Sequence, residues 1–150
     1  MKIGIASDHR GYEKKQKLIK YLLSKGIEVA DYGTNSKESC DYPEFAEYVC
    51  DAIVKEEVDR GILICGTGIG MSIVANKRKG IMCAKIDNYK EAALAREHNH
   101  ANIIAFSEKK SMLEVKDMVD AFLKASELNE EKYLRRIETI KQVENKRKWV

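Results

Sequence analysis

Proline is nearly absent from this chain of 150 residues, which contains one proline and nine glycines. Disordered, low-complexity and collagen-like chains are rich in these two residues, so the composition excludes those classes. The hydrophobic share of 44% and the charged share of 34% are those of a globular protein. A chain of this length forms about one domain, and we expect residues 1–150 to fold as a single domain.

The four cysteines are too few for a secreted disulfide scaffold, and their spacing does not fit a Cys-x-x-Cys site. The N-terminus has no apolar signal-peptide run. The most apolar stretch, 61–75, is interrupted by small polar residues and is shorter than the roughly 20 residues of a membrane span. We therefore expect a cytoplasmic protein with no membrane contact.

Neither sign of charge dominates, because 27 basic residues face 24 acidic ones and the net charge is +3. Aromatic residues make up only 7% of the chain. A nucleic-acid surface needs a basic excess with interleaved aromatic residues, so we expect no nucleic-acid partner. An anion site must instead come from local clustering. Lys132 and Arg136, four residues apart on a predicted helix, share one face that suits a phosphate.

Short β-branched runs alternate with amphipathic segments, which is typical of successive strand–helix units. The predicted strands are 2–6, 27–32, 61–65, 80–86 and 102–106. The predicted helices are 12–25, 41 to about 57, 87 to about 98, 107 to about 124, and 129–148. The pattern predicts a Rossmann-like, doubly wound α/β domain, with a five-stranded parallel sheet flanked by helices. The extra C-terminal helix is largely solvated and could pack on a partner subunit.

Four residue types at the ends of these segments predict helix caps. Gly26 follows the first helix, as a C-terminal cap usually does. Asp41 and Glu44 have the spacing of a capping box. Asp87 and Ser107 are the predicted N-caps of the two helices that follow the fourth and fifth strands.

A glycine-rich loop directly follows the third predicted strand. The strand ends in Cys65, and the run Cys65-Gly-Thr-Gly-Ile-Gly70 then opens a helix. Glycines let the backbone approach a ligand closely, and several N–H groups at a helix start favour an anion. The same field stabilises a thiolate, so Cys65 is a candidate base or nucleophile. A buried structural cysteine beside a tight turn is the alternative interpretation.

Three kinds of site use such a loop. A dinucleotide site has Gly-x-Gly-x-x-Gly and an acidic residue about 20 positions on; Asp87 fits, but Met71 occupies the third glycine position. A cysteine phosphatase needs an arginine six residues after the thiol, and that position is again Met71. In a sugar-phosphate isomerase the thiolate removes a carbon-bound proton, and the loop N–H groups hold the enediolate oxygen. The residues favour the isomerase.

Histidines follow the first predicted strand and precede the fifth. Asp8 and His9 should lie at the same sheet edge as Cys65, although a helix cap with a solvated histidine is the alternative. His98 and His100 close a helix, and we expect their imidazoles at the height of the site. This pair lacks a third ligand in register, so we expect an acid–base histidine and no metal.

These motifs together are similar to those of the ribose-5-phosphate isomerase type B family, which includes galactose-6-phosphate and allose-6-phosphate isomerases. The resemblance extends from residue 1 to about residue 140. It rests on the runs Ser7-Asp-His9, Asp41-Tyr-Pro43, Gly61 to Gly70, Ala75-Asn-Lys77 and His98-Asn-x-Ala-Asn102. The resemblance implies a Rossmann-like fold, no metal or other cofactor, and active sites built from two subunits of a homodimer or homotetramer.

The resemblance also implies an activity and roles for single residues. The implied reaction interconverts ribose 5-phosphate and ribulose 5-phosphate, with Cys65 moving a proton between C1 and C2 and His98 opening the furanose ring. Thr67 and the loop amides would hold the enediolate region. Because galactose-6-phosphate enzymes divide the counterparts of Cys65 and His98 between two different subunits, having both favours a homo-oligomer of the ribose or allose type. The implied substrate contacts are Asp8, His9, Tyr42, Gly66, Gly68, Ile69, Gly70, Asn99, Lys109, Lys132 and Arg136.

The phosphate end of the predicted site departs from the family pattern. Members typically carry Gly-Gly-Arg-His and a further arginine before the last helix. This chain retains Arg136 but has Lys132 and Tyr133 in that stretch, Lys109 in place of a Gly-x-Arg segment, and Met82 in place of an arginine. Lysine neutralises a phosphate but cannot bind it bidentately. Another four- to six-carbon sugar phosphate therefore stays open as the substrate, as does a non-catalytic sugar-phosphate-binding module.

Overall fold

Five parallel strands form one sheet, and the computed structural model describes residues 1–146. The strands are β1 (Lys2–Ser7), β2 (Glu28–Asp31), β3 (Arg60–Cys65), β4 (Cys83–Lys85) and β5 (Ile103–Ser107), and their order in the sheet is β2-β1-β3-β5-β4. The helices are α1 (Tyr12–Ser24), α2 (Tyr42–Val54), α3 (Ile69–Ala75), α4 (Tyr89–Asn99), α5 (Met112–Lys124) and α6 (Glu131–Lys146). The predicted α/β class is confirmed. Within the described residues, none of the helices is long and apolar enough to cross a membrane.

The sheet is covered on both faces. Helices α1, α4 and α5 pack on one face, and α2 and α3 pack together on the other. Along β3 the side chains alternate between the two apolar clusters: Ile62 and Ile64 belong to the first, and Leu63 and Cys65 to the second. The chain after β1 and the chain after β3 lead to helices on opposite faces, which leaves a crevice at the carboxyl ends of these two neighbouring strands.

The fourth strand is shorter than the predicted segment 80–86. Asparagine side chains bind the backbone that would otherwise extend the ladder: Asn102 accepts from the N–H of Met82 and donates to the carbonyl of Gly80, both at 2.9 Å. Asn76 bonds to both backbone groups of Cys83 at 2.8 Å. Regular pairing with β5 is observed from Cys83 to Lys85.

Two helices are capped by residues other than the predicted ones. Asn88, rather than Asp87, caps α4 by accepting from the N–H of Glu91 at 2.9 Å. The Asp87 carboxylate instead pairs with Lys110 at 2.9 Å, and this hydrogen bond lowers the pKa of Asp87. Ser111 caps α5 in place of the predicted Ser107.

The remaining cap predictions have different outcomes. Asp41 is the N-cap of α2, but its side chain makes no capping hydrogen bond, so the predicted capping box is wrong. The Glu44 carboxylate instead accepts from the hydroxyl of Tyr48, one turn further along the helix. Gly26 follows the C-cap Lys25 with φ of +75°, as predicted for the residue that ends a helix.

The last helix lies near the amino-terminal edge of the sheet. Helix α6 packs against α4, and Glu144 near its end accepts from the N–H of Gly80, ahead of β4. Its single buried residue is Ile137, whereas Leu134, Ile140 and Val143 are exposed. The predicted helix 129–148 is observed through Lys146, and residues 147–148 lie outside the described residues.

Candidate active site

Cys65 is the last residue of β3, and only 4% of it is exposed. Its sulfur accepts a hydrogen bond from the backbone N–H of Gly68 at 3.1 Å. The thiol therefore lies directly against a backbone donor of the glycine loop. Thr67, between these two residues, is exposed, and its Oγ1 accepts from the N–H of Ile69 at 3.1 Å.

The glycine loop is fixed against the end of β5. Gly68 has φ of +81°, and a Cβ at this position would lie 2.7 Å from Cα of Phe106. The Ser107 hydroxyl donates to the carbonyl of Gly66 at 2.7 Å, and the N–H of Glu108 donates to the carbonyl of Cys65 at 2.9 Å. The loop therefore presents its N–H groups from a rigid backbone, which suits recognition of a developing oxyanion.

The segment after β1 lies beside this loop, as predicted, because Ser7 and Ile64 are partners in the ladder. Asp8 is buried, and its Oδ1 accepts from the N–H groups of Arg10 and Gly11 at 3.0 and 3.1 Å. This carboxylate thus serves the turn into α1, while the hydrogen bonds within residues 1–146 leave Oδ2 without a partner.

His9 faces the segment before α2. Its Nδ1 accepts from the backbone N–H of Cys40 at 3.2 Å, so this nitrogen carries no hydrogen in that bond. The other ring nitrogen, Nε2, then carries the hydrogen and has no hydrogen-bond partner in the described part of the chain. His9 can therefore donate a hydrogen bond to an oxygen of a ligand.

Tyr42 and Lys109 complete this side of the sheet. The Tyr42 ring lies over Gly70, where an added Cβ would come within 2.5 Å of Cζ. Lys109 is exposed in the turn that follows β5. We call this group the thiol edge; its members are Asp8, His9, Tyr42, Cys65, Gly66, Thr67, Gly68, Ile69, Gly70 and Lys109.

His98 does not join the thiol edge of its own chain. Helix α4 runs antiparallel to the strands and ends at Asn99, just before β5 begins at Ile103. Cys65 is paired with Ser107 at the other end of β5, which rises about 13 Å over its five residues. The expectation that His98 lies at the height of the thiol is therefore wrong within one chain. We call the group His98, Asn99, Lys132 and Arg136 the histidine edge.

The side chains of the histidine edge come from α4 and α6. The half-buried His98 stacks on Tyr133, with ring centroids 4.5 Å apart and an angle of 14° between the planes. The Tyr133 hydroxyl lies 3.2 Å from Nε2 of His98. Asn99, Lys132 and Arg136 are exposed, and the Lys132 ammonium lies 3.7 Å from the carboxylate of Glu130.

Comparison with known proteins shows which family the chain belongs to. The model of the ribose/galactose isomerase family matches residues 3–140. The chain belongs to this family. It is 42% identical to ribose-5-phosphate isomerase B of Escherichia coli strain K12 over 147 residues, which cover 97% of this chain and 98% of that protein.

Solved structures of the ribose/galactose isomerase family have the same fold. Ribose-5-phosphate isomerase B of Clostridium thermocellum is 46% identical, with a TM-score of 0.94 over 97% of this chain and 99% of that one. The enzyme of Mycoplasma genitalium, solved with bound ribulose-5-phosphate, is 40% identical, with a TM-score of 0.91 over 97% of both chains. The resemblance identified from the sequence is thereby confirmed.

The sequence analysis did not predict the contacts of two side chains that lie beside these two edges. The Arg10 guanidinium lies over Gly66, where an added Cβ would be 3.0 Å from the nearest guanidinium nitrogen. Tyr133 was identified from the sequence only as a departure from the family pattern, and its contact with His98 was not predicted. Neither contact leaves a local signal, since each joins residues that are 35 or more positions apart in the sequence. No cluster of three His, Cys, Asp or Glu side chains among residues 1–146 could hold a metal ion.

Proposed function

We propose that this chain is an aldose–ketose isomerase that interconverts ribose 5-phosphate and ribulose 5-phosphate. The observation that carries the proposal is the hydrogen bond of 3.1 Å from the Gly68 N–H to the Cys65 sulfur. It joins a buried thiol to a rigid loop of N–H groups, so that a base and an oxyanion site lie together. Relatives named ribose-5-phosphate isomerase B support the same reaction.

In the proposed reaction the Cys65 thiolate removes the proton from C2 of the open-chain aldose. The electron pair of the C2–H bond forms the C1–C2 double bond, and the C1 oxygen takes the negative charge. The loop N–H groups that do not donate to Cys65 or Thr67, together with the Thr67 hydroxyl, stabilise that charge. A proton then passes from O2 to O1, and the Cys65 thiol returns its proton to C1, which leaves a carbonyl at C2.

We propose that a second copy of the chain completes each site. Cys65 and His98 lie at opposite edges of one sheet, so a base and a ring-opening acid meet only if the histidine edge of one copy faces the thiol edge of another. Exposed apolar residues are placed to support such contacts: Ile69 and Ile73 on α3 are 52% and 55% exposed, directly beside the loop. A homodimer, or a tetramer of such dimers, follows from this arrangement.

Three cationic side chains are proposed to bind the phosphate: Lys109 from the thiol edge, and Lys132 and Arg136 from the histidine edge. All three are exposed in the single chain and face no buried carboxylate within the described residues. Because Lys132 and Lys109 bind a phosphate only as point charges, a different chain length of sugar phosphate is the second candidate substrate. The reaction is proposed to take place in the cytoplasm.

A substrate panel tests the proposal. The purified protein would be incubated with four-, five- and six-carbon aldose phosphates, and ketose formation would be measured for each. The expected result is the highest kcat/KM for ribose 5-phosphate. A higher value for allose 6-phosphate or another sugar phosphate would replace the substrate but keep the chemistry. No turnover of any sugar phosphate, with binding retained, would make the protein a binding module.

A further inference from the structure

Tyr133 is the residue in contact with the imidazole of His98 in two different ways. The two rings stack at 4.5 Å, and the phenol oxygen lies 3.2 Å from Nε2. Both side chains are half-buried, and they come from different helices, α4 and α6. The contact is therefore a feature of the tertiary structure and not of one helix turn.

The two ring nitrogens of His98 have different surroundings. Nε2 has the Tyr133 oxygen as its partner, whereas Nδ1 has no hydrogen-bond partner among residues 1–146. Stacking restricts rotation of the imidazole, because the two ring faces lose contact when the imidazole is no longer parallel to the phenol ring. One nitrogen is thus held by the protein and the other is left for a ligand.

We propose that Tyr133 is a positioning residue: its oxygen accepts a hydrogen bond from Nε2–H of His98 and so reserves Nδ1 for the sugar. This inference rests on the proposed function, in which His98 opens the furanose ring. A phenol is suited to the task because its oxygen can accept a hydrogen bond as well as donate one. Tyr133 stands in the stretch where the resemblance implies a histidine.

The proton balance of ring opening follows from this arrangement. The imidazolium gives its Nδ1 proton to the ring oxygen as the bond between C1 and that oxygen breaks, and the bonding pair stays on the oxygen. The C1 hydroxyl oxygen forms the carbonyl and releases its proton, which Nδ1 accepts. The imidazolium is restored, and Nε2–H remains bonded to Tyr133 throughout.

Kinetics of Tyr133→Phe test the inference, because phenylalanine keeps the stacked ring and removes only the hydroxyl. With ribose 5-phosphate, which is cyclic in solution, kcat/KM should fall about tenfold, mainly through kcat, the scale of one lost hydrogen bond. Erythrose 4-phosphate cannot close a furanose ring because its O4 carries the phosphate, and its turnover should be unchanged. Tyr133→His, which restores a hydrogen-bonding group, should recover part of the loss.

A double-mutant comparison separates positioning from packing. In a protein that already carries His98→Asn, Tyr133→Phe should cause no further loss with ribose 5-phosphate. Tyr21→Phe is the matched control, because the Tyr21 hydroxyl donates to Asp120 at 2.6 Å, away from both edges, and its loss should leave turnover unchanged.

Three results would overturn the role of Tyr133: equal losses on both sugars, a further loss in the His98→Asn background, or unchanged turnover of ribose 5-phosphate in Tyr133→Phe. Thermal unfolding of each variant would confirm that the comparison concerns folded protein, and Tyr133→Met, which also lacks the hydroxyl, replaces Tyr133→Phe if the latter does not fold. A wild-type protein that isomerises no sugar phosphate would instead overturn the proposed function.

Discussion

Cys65 and His98, the two residues assigned the proton transfers, lie at opposite edges of the same parallel sheet. Cys65 is the last residue of β3, and His98 lies before the amino end of β5 on a helix that runs back across the sheet. Because the two side chains lie at opposite ends of a strand that rises about 13 Å, we infer that a single chain does not bring both of them to one five-carbon sugar. The proposed mechanism therefore predicts that two copies share each site.

Mixing two inactive variants should therefore restore activity. Cys65→Ser and His98→Asn should each lose most of their turnover of ribose 5-phosphate, Cys65→Ser by roughly 100-fold or more. When subunits exchange, half of the dimers are mixed, and each mixed dimer has one site with both residues intact. Activity should recover to about a quarter of wild type.

The matched control mixes Cys65→Ser with Cys65→Ala, which lack the same residue and should stay inactive together. Two different affinity tags would show that subunits have exchanged. Mixed dimers that remain inactive would contradict the shared site and require both residues to act within one chain.

Gly68 should tolerate no side chain. A Cβ at Gly68 would lie 2.7 Å from the backbone of Phe106, and φ of +81° is itself unfavourable for an L-residue. Gly68→Ala should lower the free energy of unfolding by about 2 to 5 kcal/mol, measured by denaturant unfolding. Gly66→Ala is the control, since its Cβ would meet only the mobile side chain of Arg10. Equal stability of the two variants would argue against a rigid loop.

Arg136 should contribute to substrate binding through the phosphate. Arg136→Ala is expected to cost about 2 to 4 kcal/mol in kcat/KM for ribose 5-phosphate and to leave the unphosphorylated sugar unaffected. Its neighbour Arg135 pairs with Glu131 at 2.8 Å on the surface, so Arg135→Ala is the matched control and should change little. If both variants behave alike, α6 is an oligomer contact and not part of a phosphate site.

The variant Lys132→Arg tests whether the departure from the family pattern goes with a substrate other than ribose 5-phosphate. A guanidinium can bind a phosphate through two hydrogen bonds, so the variant should lower KM for ribose 5-phosphate if its phosphate lies beside this residue. A higher KM, together with better turnover of a longer or shorter sugar phosphate by the wild type, would exclude the five-carbon assignment.

The capping box of α5 predicts a dependence of stability on pH. Ser111 accepts from the N–H of Glu114 at 3.2 Å, and Glu114 accepts in return from the N–H of Ser111 at 2.8 Å. Ser111→Ala should cost about 1 kcal/mol of unfolding free energy, whereas Ser126→Ala, at an exposed serine, should cost nothing measurable.

The hydrogen bond from the Ser111 backbone lowers the pKa of Glu114 below its value in the unfolded chain. Its stabilising effect is therefore complete above the unfolded pKa of about 4.3 and is lost as the pH falls through the lower folded value. The difference in unfolding free energy between wild type and Glu114→Gln should be widest at neutral pH and narrow in acid. A difference that widens in acid would contradict the assigned sign.

The fold class and the thiol edge could be predicted from the sequence because both depend on local patterns. Alternating apolar runs located all five strands, and a cysteine followed by three glycines located the loop at the end of β3. Helix caps were less predictable, because a side chain that could cap a helix can also bond elsewhere. Ser107 binds the carbonyl of Gly66, and Asp87 binds Lys110.

The amino-acid sequence specifies the chemical groups of this protein: a thiol at a strand end, N–H groups in a glycine loop, two imidazoles before the last strand and cations on the last helix. Which of these groups lie together depends on how the helices pack on the sheet. The parallel sheet brings Asp8, His9 and Cys65 to one edge, whereas the return of α4 carries His98 to the other. It also pairs His98 with Tyr133 across two helices. Such pairings depend on packing between elements distant in the chain, and no local pattern encodes them.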